Sequence, residues 1–240
     1  MSVVARTLGA GTDMLVNADL SQRVVVRTAE MTWTPSPLRG VERKMLDRDG
    51  GEVARATSLV RYAPGSFFEA HEHGGGEEFL VLEGVFSDEH GDYPAGTYVR
   101  NPPGSRHRPL SREGCTLFVK LRQIASEDSA HVVIDTGKAD WKAYPGAEGL
   151  ISTVLHTHGR ERVSMLRWSA GVGYPIHRHA GGEEVFVLAG ELRDEHGTYP
   201  AGTWIRNPVG SEHTPFSPEG ALLFVKSGHL LAPVRYPQAA

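Results

Sequence analysis

The stretch "HEHGGGEEFLVLEG", residues 71–84, sets ionisable side chains and three glycines against an apolar run. In an extended chain, residues two apart share a face, so His71 and His73 project side by side. The glycines permit a sharp turn, and Glu77 opens the next strand. Along that strand Glu77, Phe79 and Val81 share one face, while Glu78, Leu80 and Leu82 share the other. With the first face inward, Glu77 is an inward acid beside two inward imidazoles.

The chain repeats this text at residues 177–190 as "HRHAGGEEVFVLAG". Residues 71–120 align with 177–226 without a gap, and 32 of the 50 positions are identical. Upstream, "TAEMTW" at 28–33 faces "TGKADW" at 136–141. A period this long suits a small domain, not a solenoid unit. The expected organisation is an N-terminal extension at 1–27, a domain at 28–125, a linker at 126–135 and a second domain at 136–240.

Within each copy the pattern is β. "EEFLVLEG" and "EEVFVLAG" are short apolar runs ending in glycine, and "GTYVRNPPG" and "GTWIRNPVG" are aromatic and β-branched runs stopped by Pro and Gly. Turn signals recur at the spacing of a sandwich or barrel. No helix is expected within the repeats. The fold class is all-β, with two tandem β-domains.

Each copy holds three histidines and one acid at matching places: His71, His73, Glu77 and His107, then His177, His179, Glu183 and His213. Three imidazoles and a carboxylate suit a divalent transition metal and leave coordination positions open. A lone His-x-His is ordinarily a surface or turn feature. Its retention with an acid and a later histidine, at one offset in two diverged copies, favours the metal. Burying these four polar groups without such a partner would be costly.

The spacing Gly65, His71, His73, Glu77, Gly84, followed by Gly96, Pro102, Gly104 and His107, resembles the two cupin motifs. The second copy matches through Gly171, His177, His179, Glu183 and Gly190, then Gly202, Pro208, Gly210 and His213. Ser111 and Ser217 stand where that pattern ends in Asn. The resemblance implies two tandem jelly-roll cupin β-barrels, a bicupin, with one metal per domain. Fe2+ or Zn2+ is expected, with Mn2+ and Ni2+ as alternatives.

The texture of residues 74–107 is similar to the cupin domain of ChrR-type anti-sigma factors and their stand-alone bacterial relatives. In the anti-sigma factors this domain follows a zinc-binding helical domain that grips the sigma factor. The first 27 residues here hold no His or Cys, so sigma-factor binding is not expected. Other relatives with this cupin type are implied to be metal-dependent dioxygenases of ketones or diketones. Cupins commonly dimerise through edge strands, so a homodimer is expected by analogy.

Arg100 and Arg206, in the "RNP" of each copy, are candidates to bind a substrate carboxylate or enolate. A solvated or acid-paired rim charge is their blander role. His90 and His196 fall in "DEHG" and read as turn residues. Phe67, Phe79, Tyr98, Tyr174, Phe186 and Trp204 are candidate pocket walls or core. His156 and His158 lack the spaced acid and read as surface, and Cys115 reads as a buried small residue.

The 240 residues carry a formal net charge of −4, which gives no sign of nucleic acid or acidic membranes. No signal peptide and no membrane span is read, and a single cysteine fits a reducing compartment, so a cytoplasmic protein is expected. Three functions remain open on the sequence. One is a dioxygenase-type enzyme acting on a small oxygenated organic molecule. The second is a sensing module on a structural metal such as zinc, binding a small ligand or a protein. The third is a non-redox lyase, isomerase or cyclase using the metal as a Lewis acid.

Overall fold

The structure is a computed structural model and describes residues 14–51 and 53–231. Among the described residues the one helical element is the 3-10 turn Thr28–Glu30; the rest is strand and turn. No helix of the described residues is long and apolar enough to cross a membrane.

The chain divides into two compact units. One takes the described residues up to Ala18 and Thr32–Lys138, the other Asp19–Met31 and the described residues from Ala139 onward. In the first unit the antiparallel path runs Leu15–Val16, Val41–Gly50, Ala54–Tyr62, Cys115–Leu121, Glu77–Asp88, Thr97–Asn101, Val132–Asp135. The second repeats it as Lys142–Ala143, Leu150–His158, Glu161–Trp168, Ala221–Ser227, Glu183–Asp194, Thr203–Asn207, Val24–Arg27. Strands distant in sequence are neighbours in each path, and each path stays open. These are two tandem cupin-like jelly rolls.

The outermost strand of each unit lies in the segments read as extension and linker. Val132–Asp135 pairs with Thr97–Arg100, and Val24–Arg27 pairs with Thr203–Arg206. So residues 24–27, upstream of the first repeat, complete the second unit. Four residues on an exposed edge carry too little alternation to read as a strand. The exposed edge itself supplies the hydrogen-bonding partner.

The alternation expected from residue 77 onward holds. Phe79, Val81 and Val99 join Tyr62, Phe86 and Leu117 in the core of the first unit. Val185, Val187 and Ile205 join Trp168, Leu192 and Leu223 in the second. Gly84 and Gly190 sit at φ 71 beside shifts of strand register. A Cβ there would collide with the carbonyls of Gly114 and Gly220, so only glycine fits.

Candidate metal centre

The short strand His71–His73 pairs with Ser105–His107 so that His71 stands opposite His107. In the second unit His177 stands opposite His213. The chain then turns, with the Gly76 N–H donating to the His73 carbonyl at 2.9 Å and the Gly182 N–H to His179 at 3.1 Å. Gly76 and Gly182 both lie at φ 72, where a Cβ would press on Ile124 and Leu230. The turn delivers Glu77 and Glu183 to the start of the next strand.

Three imidazoles meet in each unit. His71, His73 and His107 have ring centroids 4.7, 4.8 and 5.3 Å apart. All three pairs among His177, His179 and His213 are 4.8 Å apart. Each histidine trio offers one ligand atom per residue, all within 4.8 Å of one another. Glu77 Oε2 lies 3.5 Å from Nε2 of both His73 and His107. Glu183 Oε2 lies 3.5 Å from Nε2 of His179 and 4.0 Å from that of His213.

Other groups hold these rings in place. His71 Nδ1–H donates to the Glu69 carbonyl and His177 Nδ1–H to that of Pro175. His107 Nδ1–H donates to Asp88 Oδ2 at 3.3 Å and His213 Nδ1–H to Asp194 Oδ2 at 3.2 Å. With the proton on Nδ1, the Nε2 lone pair points at the cluster. Nε2 of His73 and His107 approach to 2.8 Å, and Nε2 of His179 is buried without a hydrogen-bond partner. Converging lone pairs beside a carboxylate are what a divalent cation relieves, so the donor set fits a transition metal.

Protonation follows burial. Burial lowers His73 and His177, and with the charge of His213 it brings His179 down to about 4. Neutral imidazole is the ligating form. At His107 burial acts downward too, yet the bond to Asp88 and the charge of Glu77 raise it overall. Burial raises Glu183 against the opposing charge of His213.

Asp88 and Asp194 escaped sequence reasoning, although "DEHG" is common to both copies. His90 and His196 are exposed, and their backbone N–H groups donate to Asp88 and Asp194 at 2.8 Å. Tyr93 and Tyr199 hydroxyls donate to the same carboxylates.

The second unit adds Arg23. Its guanidinium bonds Asp194 at 3.3 Å, Tyr199 at 2.6 Å and Asn207 Oδ1 at 3.1 Å. Asn207 in turn donates to Glu183 at 3.3 Å. One cation therefore braces the groups behind both His213 and Glu183. His131, exposed, precedes the matching edge strand of the first unit.

Arg100 and Arg206 do not join the histidines. Arg100 is the cross-strand neighbour of Glu78, on the face opposite Glu77. It is fully buried and donates to Glu78 at 2.8 Å and Asp128 at 2.6 Å. Arg206 donates to the carbonyls of Asp19 and Gln22. Both arginines fasten the chain entering the outermost strand. The residue that reaches the cluster is the next one, Asn101, which donates to Glu77 at 3.3 Å.

Of the aromatic candidates, Tyr174 lines a cavity at the second cluster, Phe79 is core and Phe67 is exposed. Tyr98, Phe186 and Trp204 are buried on the face away from the histidines. His156 and His158 are half-buried. Cys115 is buried as expected. Ser111 and Ser217, at the departure from the cupin motif, are fully buried and donate to the carbonyls of Val85 and Glu191.

The sequence matches the ChrR cupin-like domain family twice, over residues 21–125 and 129–231. The chain belongs to this family. No protein of curated function matches it. This ChrR cupin-like chain shares its fold with a putative dioxygenase from Nostoc punctiforme, at 16% identity and TM-score 0.73, covering 91% of this chain and 88% of that one. A putative glyoxylate-induced protein from Pseudomonas aeruginosa matches at 14% identity and TM-score 0.71, over 100% and 99% of the two chains. The oxalate decarboxylase of Lactobacillus farciminis matches at 11% identity and TM-score 0.59, over 85% and 86%.

Proposed function

We propose that this ChrR cupin-like chain is a metal-dependent enzyme of dioxygenase type, acting on a small oxygenated organic molecule such as a ketone or diketone. His71, His73, Glu77 and His107 would hold one divalent metal, and His177, His179, Glu183 and His213 another. The observation that carries this is the convergence of three imidazole nitrogens and a carboxylate in each unit, with Nδ1 protons tied down behind them. A bound transition metal would supply Lewis acidity and open coordination positions for substrate or O2.

The protein's own residues do the rest. Asp88 and Asp194 hold the proton on Nδ1 of His107 and His213, keeping Nε2 available. Asn101 and Asn207 orient Glu77 and Glu183 through their amide N–H groups. Tyr144, Tyr174 and Trp168 give the second cluster an apolar wall that excludes water.

The test is metal analysis joined to oxygen uptake. About two metals per chain are expected, with uptake of O2 in the presence of a β-diketone by Fe2+-loaded protein. Metal binding without oxygen uptake would favour the Lewis-acid or sensing alternative. A fully folded chain that binds no metal would remove both.

A further inference from the structure

The two units differ in the side chains that stand over their clusters. In the second, a cavity of about 50 Å³ opens directly on His177, Glu183 and His213. Tyr144 and Tyr174 line it with Leu150, Trp168 and Leu223, and no lysine or arginine from the described residues does. Leu150, Trp168 and Leu223 are buried while both tyrosines are half-buried, so the phenols stand on its open side. The two rings meet edge to face with centroids 5.4 Å apart, and the Tyr174 ring lies 5.2 Å from that of His177.

Backbone pairing brings the two rings together. The Tyr144 N–H donates to the Leu150 carbonyl at 2.8 Å, and the Tyr174 N–H donates to the Pro215 carbonyl at 2.9 Å. The first unit makes the same two bonds, from Ser36 to Val41 at 2.9 Å and from Phe68 to Pro109 at 2.8 Å. Ser36 and Phe68 therefore stand where the second unit has Tyr144 and Tyr174. The Phe68 ring keeps its place beside His71, at 5.7 Å, and the Ser36 hydroxyl accepts from the Leu38 N–H. Neither position of the first unit offers a phenol. Tyr93, Tyr98 and Tyr199 each donate their hydroxyl to a carboxylate, whereas no described residue hydrogen-bonds the hydroxyl of Tyr144 or Tyr174. Burial and the neighbouring Tyr174 raise Tyr144 above its ordinary value, so it stays an O–H donor.

We propose that Tyr144 and Tyr174 bind substrate at the second centre, their hydroxyls donating to a neutral carbonyl or hydroxyl oxygen of it. This deepens the reading of the cluster as a working centre and rests on it. A cavity of this size is far below the roughly 300 Å³ that encloses a drug-sized ligand, so it admits only the reacting end of a molecule. The remainder lies at the open side, against the two phenols. A phenol supplies one neutral donor, which a carbonyl or hydroxyl oxygen satisfies. No lysine or arginine is there to pair a carboxylate, whose desolvation would go uncompensated. The first centre, with Ser36 and Phe68 in these places, lacks both donors, so the two centres of one chain differ in the ligands they hold.

The test is titration of the full chain, loaded with Co2+, with acetylacetone, followed by calorimetry and by the visible absorption of the metal. Two binding steps are expected, one per centre. Tyr144→Phe and Tyr174→Phe should each weaken one step about three- to tenfold, the worth of a single hydrogen bond, and leave the other step and the metal content unchanged. Imidazole takes a metal position through nitrogen and offers no oxygen, so it should bind the unaltered chain and both variants equally. His107→Ala, which removes the metal of the first centre, should leave only the tyrosine-sensitive step. No change at either step, an equal loss at both, or an equal loss of imidazole binding overturns the assignment, as does a failure of acetylacetone to bind. Should His107→Ala fail to fold, the two steps of the unaltered chain and of the Phe variants still decide it. Tyrosine-sensitive binding without oxygen uptake would defeat the dioxygenase reading and leave the assignment standing. Oxygen uptake by a chain whose acetylacetone binding ignores both substitutions would do the reverse, and a chain that takes up no Co2+ removes both.

Discussion

Arg23 lies 3.3 Å from the Asp194 carboxylate, and Asp194 in turn accepts the Nδ1 proton of His213. A residue upstream of the first repeat thus braces a candidate metal ligand of the second. Burial opposes ionisation of Asp194. Hydrogen bonds from His213, Tyr199 and the His196 N–H, with the charge of Arg23, still hold it down at about 2.

Replacing Arg23 should act on one centre only. Arg23→His, which installs the residue found before the matching strand of the first unit, is expected to weaken the second site roughly tenfold, the lower end of the effect for groups behind metal ligands. Competition with a chelator, followed by metal content per chain, reads this. Equal loss from both sites would refute the assignment.

Asp88→Asn and Asp194→Asn should each reduce affinity at their own site by about 10- to 100-fold. An amide in place of the carboxylate no longer favours the Nδ1–H tautomer. The absorption spectrum of Co2+-loaded protein reports the altered ligand field, which a merely structural loss would leave intact in the folded fraction.

Metal-free protein should lose stability on acidification through His179. Its folded value of about 4 lies below the ordinary 6.5, so between these the unfolded chain binds the proton more tightly. The contribution is present in full above pH 6.5 and lost as the pH falls toward 4. Relative to His179→Gln, the unaltered chain should lose on the order of 2 kcal/mol across that window. Chemical denaturation at several pH values checks it, and a flat difference would exclude the assignment.

Burial pushes the Cys115 thiol up to about 11. At pH 8 the folded chain should therefore react negligibly with a thiol-specific disulfide reagent, and one thiol should appear on denaturation. Prompt reaction in the native state would contradict the buried placement.

Arg100→Met should destabilise by about 3–5 kcal/mol, because Glu78 and Asp128 would remain buried without their shared cation. The surviving folded protein should keep its metal content. Unchanged stability with lost ligand binding would restore Arg100 as a substrate-binding residue.

Much of the centre was legible from the chain. His71, His73 and Glu77 lie within seven residues, so period-two alternation and a glycine turn suffice to bring them together. His107 comes from a distant strand, yet its constant offset from the triplet in two copies exposed it. Asp88 carries the same repeated signal in "DEHG", but its role behind His107 depends on a contact between residues 19 apart that spacing does not reveal. Arg100 takes the acid-paired role, one of the two its sequence leaves open, because strand alternation sends it to the Glu78 face, and only the register with Glu78 reveals that.

Local spacing by itself determined the duplicated β fold and the eight residues of the two clusters, since both depend on periodicity and repetition along the chain. Tertiary structure alone decided which unit Val24–Arg27 and Val132–Asp135 complete, because an edge strand is chosen by the edge awaiting it. It also decided that Arg23 stands behind His213 and that Tyr144 meets Tyr174 beside His177. Those outcomes depend on long-range pairing and register, and a shift of one residue would send each side chain to the other face.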